Sequence, residues 1–349
     1  MKIATLHSRL SGYMAACLKT LKTRHNVELL SFYFKPSGEA PFDESQFGFI
    51  DRLYERNTIS KSKMKKLLED FSPDGIYITG WKIKSDLSIA RYFKKQGIPV
   101  IAGIDGQWSG TVRQIVGKLT APVFLHPYIN ILWGTGERQA IFARKLGFSG
   151  ARYWQGLYAC DWDAFAHHNN KIKKEKAFLF VGRYVEQKGI DELIHAYKKY
   201  RKNTKDPWTL YCAGAGNLKH KLNDHEGVVD LGFIQPEALP SLMHRVSSFV
   251  LPSRWEPWGV VIQEAAASGL PLLCSDACGA AVHLLQDNYN GYIFEAGYTE
   301  HLTRCLLKIS SQPISNLKKM GERSFELSKQ YTPERWADTF VDGIKDFSS

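Results

Sequence analysis

Short apolar runs alternate with amphipathic helical stretches along almost the whole chain, and the alternation stops once and then begins again. KIATLH reads as a strand, residues 12–21 as a helix, and VELLSF, GIYITG, IPVIAGI and NILWG as further strands. Helical patterns over 60–71, 85–96 and 137–146 lie between them. Strands that alternate with helices build a parallel sheet, and continuously apolar strands need cover on both faces. The segment CDWDAFAHHNNKIKKEK, residues 160–176, interrupts this order; it is polar, charged and poor in aliphatic side chains, and reads as an interdomain linker.

The pattern restarts with the strand AFLFVG and a helix over 191–200, followed by WTLYCAG, VVDLGF, a helix over 238–245, SFVLPS, a helix over 260–268, LPLLCSD and YIFEAG. Past Thr299 only helices remain. The last has Thr332 as N-cap and Pro333 at its first position, with Trp336, Phe340, Val341 and Ile344 at helical spacing. The expected fold class is α/β: two doubly wound, Rossmann-like domains facing across a cleft. A length of 349 residues agrees, because one core stops growing near ~250–300 residues. The expected division is 1–163 and 164–331, with the helix over 332–349 packing back on the first domain.

The formal net charge of +11 suits polyanionic company, whether nucleic acid, anionic lipid or phosphorylated substrate. Zinc-finger spacing, an RNP-type aromatic motif and a clear helix-turn-helix are missing from the sequence, so nucleic-acid binding stands only as an alternative. No run of 18 or more apolar residues occurs, and the N-terminal segment lacks the apolar stretch and cleavage site of a signal peptide, so a cytoplasmic protein is expected. The six cysteines form no CxxC pair and read as reduced thiols.

Three loops of the second half each follow a strand, carry glycine or charge, and feed a helix. In FVGRYVEQKGIDELI, Arg183 follows the strand and Lys188 precedes the helix. Two cations beside helix N-terminal N–H groups suit a diphosphate, although surface cations on any loop look the same. In YCAGAGNLKHKL, Gly214 and Gly216 suit close backbone approach to a ligand, or an ordinary tight turn. In LPSRWEPWGVVIQEAAASG, Glu256 lies in the loop, Gly259 at the helix start and Glu264 about one turn further. Phosphate at the helix start and hydroxyls at the carboxylates fit this layout, as does a plain capped helix. Asp161 and Asp163 have a spacing that holds metals elsewhere, but they fall in the segment leading into the linker, and no metal is expected.

In this order over residues 177–297, the first two loops, LGFIQPEALPSLM, the pair Glu256 and Glu264 with seven residues between them, and DNYNGYIFEAG resemble the C-terminal domain of retaining GT-B glycosyltransferases of family 4, the group 1 glycosyl transferases. Bacterial surface-polysaccharide transferases are the most similar in character. ILWGTGERQAIFARKLGFSG and QGLYACDWDAF resemble, more loosely, the close of the family's acceptor domain. The resemblance implies transfer of a sugar, with retention, from a UDP- or GDP-sugar to a saccharide or lipid-linked acceptor in polysaccharide or lipopolysaccharide synthesis, needing neither metal nor cofactor. It implies that 1–163 holds the acceptor and 164–331 the donor. Arg183 and Lys188 would bind the diphosphate, Glu264 the ribose hydroxyls and Glu256 the sugar hydroxyls. Pro257, Trp258, Gly259, Val260 and Val261 would supply backbone contacts, with Gly214 and Gly216 beside the donor. Phe233 and Ile234 would border the base, and Gly12 would approach the phosphates from the first domain.

The chain departs from the family pattern in three places. Gly12 stands alone where many members carry two glycines, and CGAAVHLL, with His283, replaces the usual glutamate segment. Asp105, followed by Gly106, Gln107 and Trp108, stands where many carry a histidine. It reads either as a carboxylate that orients or deprotonates an acceptor hydroxyl, with Gln107 and Trp108 beside the acceptor, or as a turn-forming aspartate. Lys61, Lys63, Lys65 and Lys66, with Trp81, Lys82, Trp108, Arg113 and Lys118, suit either peripheral contact with an anionic membrane at the inner face of the plasma membrane or solvated helix faces. A nucleotide-sugar epimerase on the same scaffold is a further alternative.

Overall fold

The computed structural model describes residues 1–35, 44–167 and 174–348; the stretch 168–173 of the expected linker lies outside the described residues. The chain forms two compact units, Met1–Ala159 with Pro333–Ser349, and Cys160–Thr332.

The first unit runs β1 (Lys2–Leu6), α1 (Gly12–His25), β2 (Glu28–Tyr33), β3 (Arg52–Glu55), α2 (Lys61–Phe71), β4 (Gly75–Ile78), α3 (Lys84–Lys94), β5 (Val100–Ile104), α4 (Val112–Phe124), β6 (Ile131–Gly134), α5 (Glu137–Lys145) and β7 (Tyr153–Gln155). The second runs α6 (Trp162–Ala166), β8 (Ala177–Val181), α7 (Ile190–Lys202), β9 (Thr209–Ala213), β10 (Val228–Gly232), α8 (Leu239–Arg245), β11 (Ser248–Leu251), α9 (Val260–Ala267), β12 (Leu272–Ser275), α10 (Ala281–Leu284), β13 (Gly291–Phe294), α11 (Thr299–Ser310) and α12 (Ile314–Ser328). The chain ends in α13 (Pro333–Ser348), which belongs to the first unit.

Among the described residues the first unit holds a seven-stranded sheet in the order β3-β2-β1-β4-β5-β6-β7, and the second a six-stranded sheet in the order β10-β9-β8-β11-β12-β13. The pairings are parallel throughout, with Thr5 opposite Ser31 and Phe249 opposite Leu272. Strand pleating sends alternate residues to opposite faces, and in the first unit this separates two cores. Ile3, Leu29, Tyr77, Ile101 and Trp133 join one, while Ala4, Leu30, Ile76, Ile78 and Leu132 join the other. The first face is sealed by α13: Trp336 stacks on Trp133 at 4.8 Å between centroids, and its indole N–H donates to the Leu157 carbonyl at 2.8 Å. A side chain on Gly343 would lie 2.0 Å from the Trp154 ring, so α13 seats only with a glycine there.

Five elements lie outside the sequence expectation: β3, β7, α4, the short helix α6 within the expected linker, and α10. β3 and β7 are short edge strands with little apolar content, a form that resists edge-to-edge pairing. Helix α4 contains Pro122, and Ala121 is its only buried residue among those described. Its large apolar side chains point into solvent, so it does not carry the core-facing stripe that marks a helix of a globular domain.

In each sheet the strand order reverses direction once, between β1 and β4 and between β8 and β11. In open α/β sheets ligands bind beyond the carboxyl ends of the strands at such a switch point.

Candidate functional site

Within the second unit, β8 and β11 are neighbours astride the switch point, and their carboxyl ends lead into Gly182–Arg183 and Pro252–Ser253. The loop after β8 docks onto the loop after β11. Gly189 makes this possible: its φ of +71° is in the left-handed region, and a Cβ there would lie 2.1 Å from the Pro252 carbonyl oxygen. Two bonds stitch the loops together, Arg254 N–H to the Gln187 carbonyl at 2.8 Å and the Gln187 side-chain amide to the Trp255 carbonyl at 2.8 Å. The Arg254 guanidinium spans Glu192 at 2.5 Å and Glu186 at 2.6 Å, so this cation is committed to the scaffold. Gly189→Ala combines a strained φ with a clash against immovable backbone, which together cost about 3–5 kcal/mol. The melting transition of the second unit is expected to fall by roughly 10 °C, checked by calorimetry.

The docked loops bring Lys188 and Glu256 into an ion pair, with the two side chains 13% and 10% exposed. The Ser253 hydroxyl donates to the same Glu256 oxygen at 3.2 Å. The turn after β12 folds over this loop: Gly279 N–H donates to the Glu256 carbonyl at 2.9 Å and Ala280 N–H to the Trp258 carbonyl at 2.8 Å. Trp258 is 2% exposed, and its ring packs against Tyr331 at 5.2 Å and His283 at 5.6 Å. Its indole N–H has no hydrogen-bond partner among the described residues. An unmatched buried donor costs about 1–3 kcal/mol, so an acceptor supplied by a ligand or a water is welcome there.

Gly259 caps α9 at φ +95° and offers no side-chain acceptor to the first N–H groups of the helix. Val260 and Val261 open the helix, and Glu264 lies one turn on. Glu264 keeps part of its surface, but its carboxyl is packed among protein atoms; that burial pushes its pKa up to about 7, and the charge of Asp161 adds to the rise. The neighbouring Gln263 is buried and accepts from Cys160 N–H at 3.1 Å.

Gly214 and Gly216 meet protein backbone. A Cβ at Gly214 would lie 1.9 Å from the Gly182 carbonyl oxygen, and one at Gly216 2.3 Å from that of Tyr184. The turn backs the loop that carries Arg183, with Tyr184 N–H donating to the Ala215 carbonyl at 2.8 Å. The Tyr184 hydroxyl donates to Asp230 at 2.8 Å and anchors that loop to β10. Arg183 is exposed, and so is Phe233, which follows β10 with Ile234 half-buried beside it.

In the first unit, Gly12 is the first residue of α1, behind Ser11 as N-cap. Asp105 follows β5 and is exposed; its carboxylate accepts from the Tyr158 hydroxyl at 3.4 Å, and its carbonyl from the Gln139 amide at 2.8 Å. Gln107 is held between Gln114, whose amide donates to its carbonyl at 2.7 Å, and Arg138 at 3.4 Å. Trp108 packs on Phe142 at 5.7 Å with the Lys145 ammonium over its ring at 4.9 Å. Sequence reasoning passed over two polar residues here. Ser253 closes the strand pattern SFVLPS, and it lies three residues before Glu256. His7 closes the strand pattern KIATLH; it is fully buried just past β1, its ring nitrogens have no hydrogen-bond partner among the described residues, and burial, with Arg56 nearby, pushes its pKa down to about 3. The ring is therefore neutral. All six cysteines are buried thiols outside any disulfide, and among the described residues no cluster of three or more His, Cys, Asp or Glu is placed to hold a metal ion.

Residues 163–326, all within the second unit, match the family Glycosyl transferases group 1. A glycosyltransferase of Methanocaldococcus jannaschii is 33% identical over 159 residues, covering 42% of this chain and 40% of that protein. The glycogen synthase of Mycobacterium tuberculosis is 27% identical over 244 residues, covering 62% of this chain and 56% of that protein. The chain thus spans about half the length of the curated relatives it matches. Among solved structures, Anabaena HepE in complex with UDP and glucose superposes with a TM-score of 0.74 at 15% identity, over 99% of this chain and 100% of that one. That likeness shows the fold, which is GT-B: two Rossmann-like units with parallel sheets flanked by helices.

Proposed function

We propose that the chain moves a sugar from a UDP- or GDP-sugar to a saccharide or lipid-linked acceptor, with retention of configuration and without a metal, in bacterial polysaccharide or lipopolysaccharide synthesis at the cytoplasmic face of the membrane. The observation that carries this reading is the Lys188–Glu256–Ser253 constellation beyond the carboxyl ends of β8 and β11, within the segment that matches the group 1 family. UDP and glucose are bound by the structurally similar HepE, which supports a uridine donor.

In this reaction the bond from the anomeric carbon to the diphosphate breaks, and its electron pair leaves with the nucleotide. The acceptor hydroxyl oxygen bonds to that carbon and gives up its proton to an oxygen of the departing diphosphate. The transition state has oxocarbenium character, and the main demand on the protein is to stabilise charge growing on the diphosphate. Lys188 has three donors, so one can stay on Glu256 while another meets a phosphate oxygen. Arg183 supplies a planar fork for the same group. Glu256, held by Lys188 and Ser253, accepts from sugar hydroxyls. The start of α9, with Pro257 to Val261, offers backbone groups and a favourable dipole. Glu264 takes the ribose hydroxyls, and Phe233 and Ile234 border the base. In the first unit, which holds the acceptor, Asp105 orients the acceptor hydroxyl, with Gln107 and Trp108 beside it.

The test is incubation with a panel of nucleotide-sugars and saccharide acceptors in the presence of EDTA, with the anomeric configuration of the product read by NMR. Product with the donor's configuration, formed at an undiminished rate under EDTA, is expected. Interconversion of the nucleotide-sugar without any acceptor would instead establish an epimerase.

A further inference from the structure

Helix α4 carries an apolar stripe on its solvent face. Val112, Ile115, Val116, Leu119 and Val123 are 45–78% exposed. At 3.6 residues per turn these five fall within an arc of about 100°. Arg113 and Lys118, both exposed, lie just outside that arc on opposite sides, and Ala121, the buried residue, lies diametrically across from it. The helix VRQIVGKLTAPVF contains no acidic residue. It is therefore an amphipathic helix turned inside out: its small face packs on the unit, and its broad apolar face, edged with cations, meets solvent. Next along the chain Phe124 is 67% exposed.

A second feature adjoins it. A shallow cavity of about 510 Å³ is lined by Lys84, Arg91 and Lys95 of α3 and its end, together with Tyr92 and Tyr128. Tyr128 lies four residues beyond α4, and Lys94 ties α3 to the same turn through the carbonyls of His126 and Ile129, both at 2.7 Å. The cavity thus lies between α3 and the turn that follows α4, with Tyr128 at most ~14 Å of chain from Phe124. Arg91 lies over the Tyr128 ring at 5.5 Å, so the cavity wall is cationic and aromatic.

We infer that α4 is a membrane-contact element that lies flat in the interface of an anionic bilayer, with its apolar stripe in the acyl boundary, Arg113 and Lys118 reaching back to the phosphates, and the cavity cations facing lipid headgroups. Charge complementarity selects this occupant: an apolar stripe with cations on both edges and a cationic cavity by the turn that follows it fits an anionic surface over a hydrocarbon layer. At 13 residues, α4 is about 20 Å long, too short for a hydrocarbon core of about 30 Å, so it lies on the membrane and does not cross it. No helix among the described residues is long and apolar enough to cross one. The inference deepens the lipid-linked acceptor of the proposed function and rests on that reading for its purpose. Its test reads vesicle binding, which is separate from nucleotide binding, so failure of the one is distinguishable from failure of the other.

The experiment is co-sedimentation of the full chain with phosphatidylcholine vesicles, with and without phosphatidylglycerol. The wild type is expected to bind the anionic vesicles and to weaken as salt rises. Leu119→Asp/Val123→Asp should bind them roughly 100-fold or more weakly, because two apolar side chains leave the interface. Arg113→Gln/Lys118→Gln should lose roughly 10- to 30-fold and part of the salt dependence, the rest staying with the cavity cations. Both variants alter exposed positions and should keep the wild-type melting temperature and nucleotide affinity. Vesicle binding retained by the double aspartate variant would overturn the inference. So would a wild type that ignores vesicles and instead forms a dimer in sedimentation velocity that the aspartate variant dissolves, since α4 would then be covered by a second copy.

Discussion

Lys188→Ala is expected to lower sugar transfer by roughly 10²–10³-fold or more, because one charge-assisted donor to the leaving diphosphate is lost. The structure adds a second effect. Lys188 and Glu256 are paired and nearly buried, so removing the lysine takes this cation from a carboxylate to which the Ser253 hydroxyl also donates. Breaking a buried pair from one side costs about 3–5 kcal/mol. The variant should therefore melt earlier as well as turn over slowly, and the two losses must be separated. Lys188→Met/Glu256→Gln separates them. Replacing both charges restores a neutral, packed pair, so stability should return toward wild type while transfer stays low. Transfer that recovers along with stability would show that the pair only holds the loops together.

Glu264→Ala should weaken nucleotide binding by roughly 10²-fold or more, because two hydrogen bonds from ribose hydroxyls to a charged acceptor are each worth about 1.5–3 kcal/mol. The raised pKa adds a pH signature. In the ligand-free protein the carboxyl titrates near 7, so it is largely neutral below that pH. A diol that donates two hydrogen bonds favours the carboxylate and lowers this pKa on binding. Affinity should accordingly rise with pH through about 7 and level off above it, and Glu264→Gln should lack that component of the rise. Stability runs the other way. The folded pKa lies above the ordinary value of 4.5, so the contribution of Glu264 is full below that pH and is lost as pH rises through about 7. Titration calorimetry and melting curves across pH 5–9 check both signs.

The sheets were legible in the sequence because their strands are buried on both faces. AFLFV, SFVL and LLCS carry no polar interruption, and the turn signals after them fix where each strand ends. β3 and β7 were not legible, since RLYE and YWQ at sheet edges need little apolar character. α4 was missed for the opposite reason: periodicity reports an apolar face, but it does not say whether the face meets a core or solvent. At the candidate site, Lys188, Glu256 and Glu264 stand out by residue type and spacing. Their mutual pairing does not, because it depends on Gly189 letting one loop dock against Pro252 across 63 positions of chain. Gly214 and Gly216 suggested close approach to a ligand, and the close approach on view is to the backbone at Gly182 and Tyr184. A sequence shows that something must come near a glycine without showing what.

The central claim is that the loops after β8 and β11, with the start of α9, form a site for a nucleotide diphosphate. Titration calorimetry of the full chain with UDP and with GDP tests it most directly, with Lys188→Met/Glu256→Gln and Glu264→Gln as controls. The account predicts one-to-one binding of at least one nucleotide to the wild type, clearly weakened in both variants while each keeps a cooperative melting transition. Binding that neither variant changes, or no binding of either nucleotide at millimolar concentration, would contradict it.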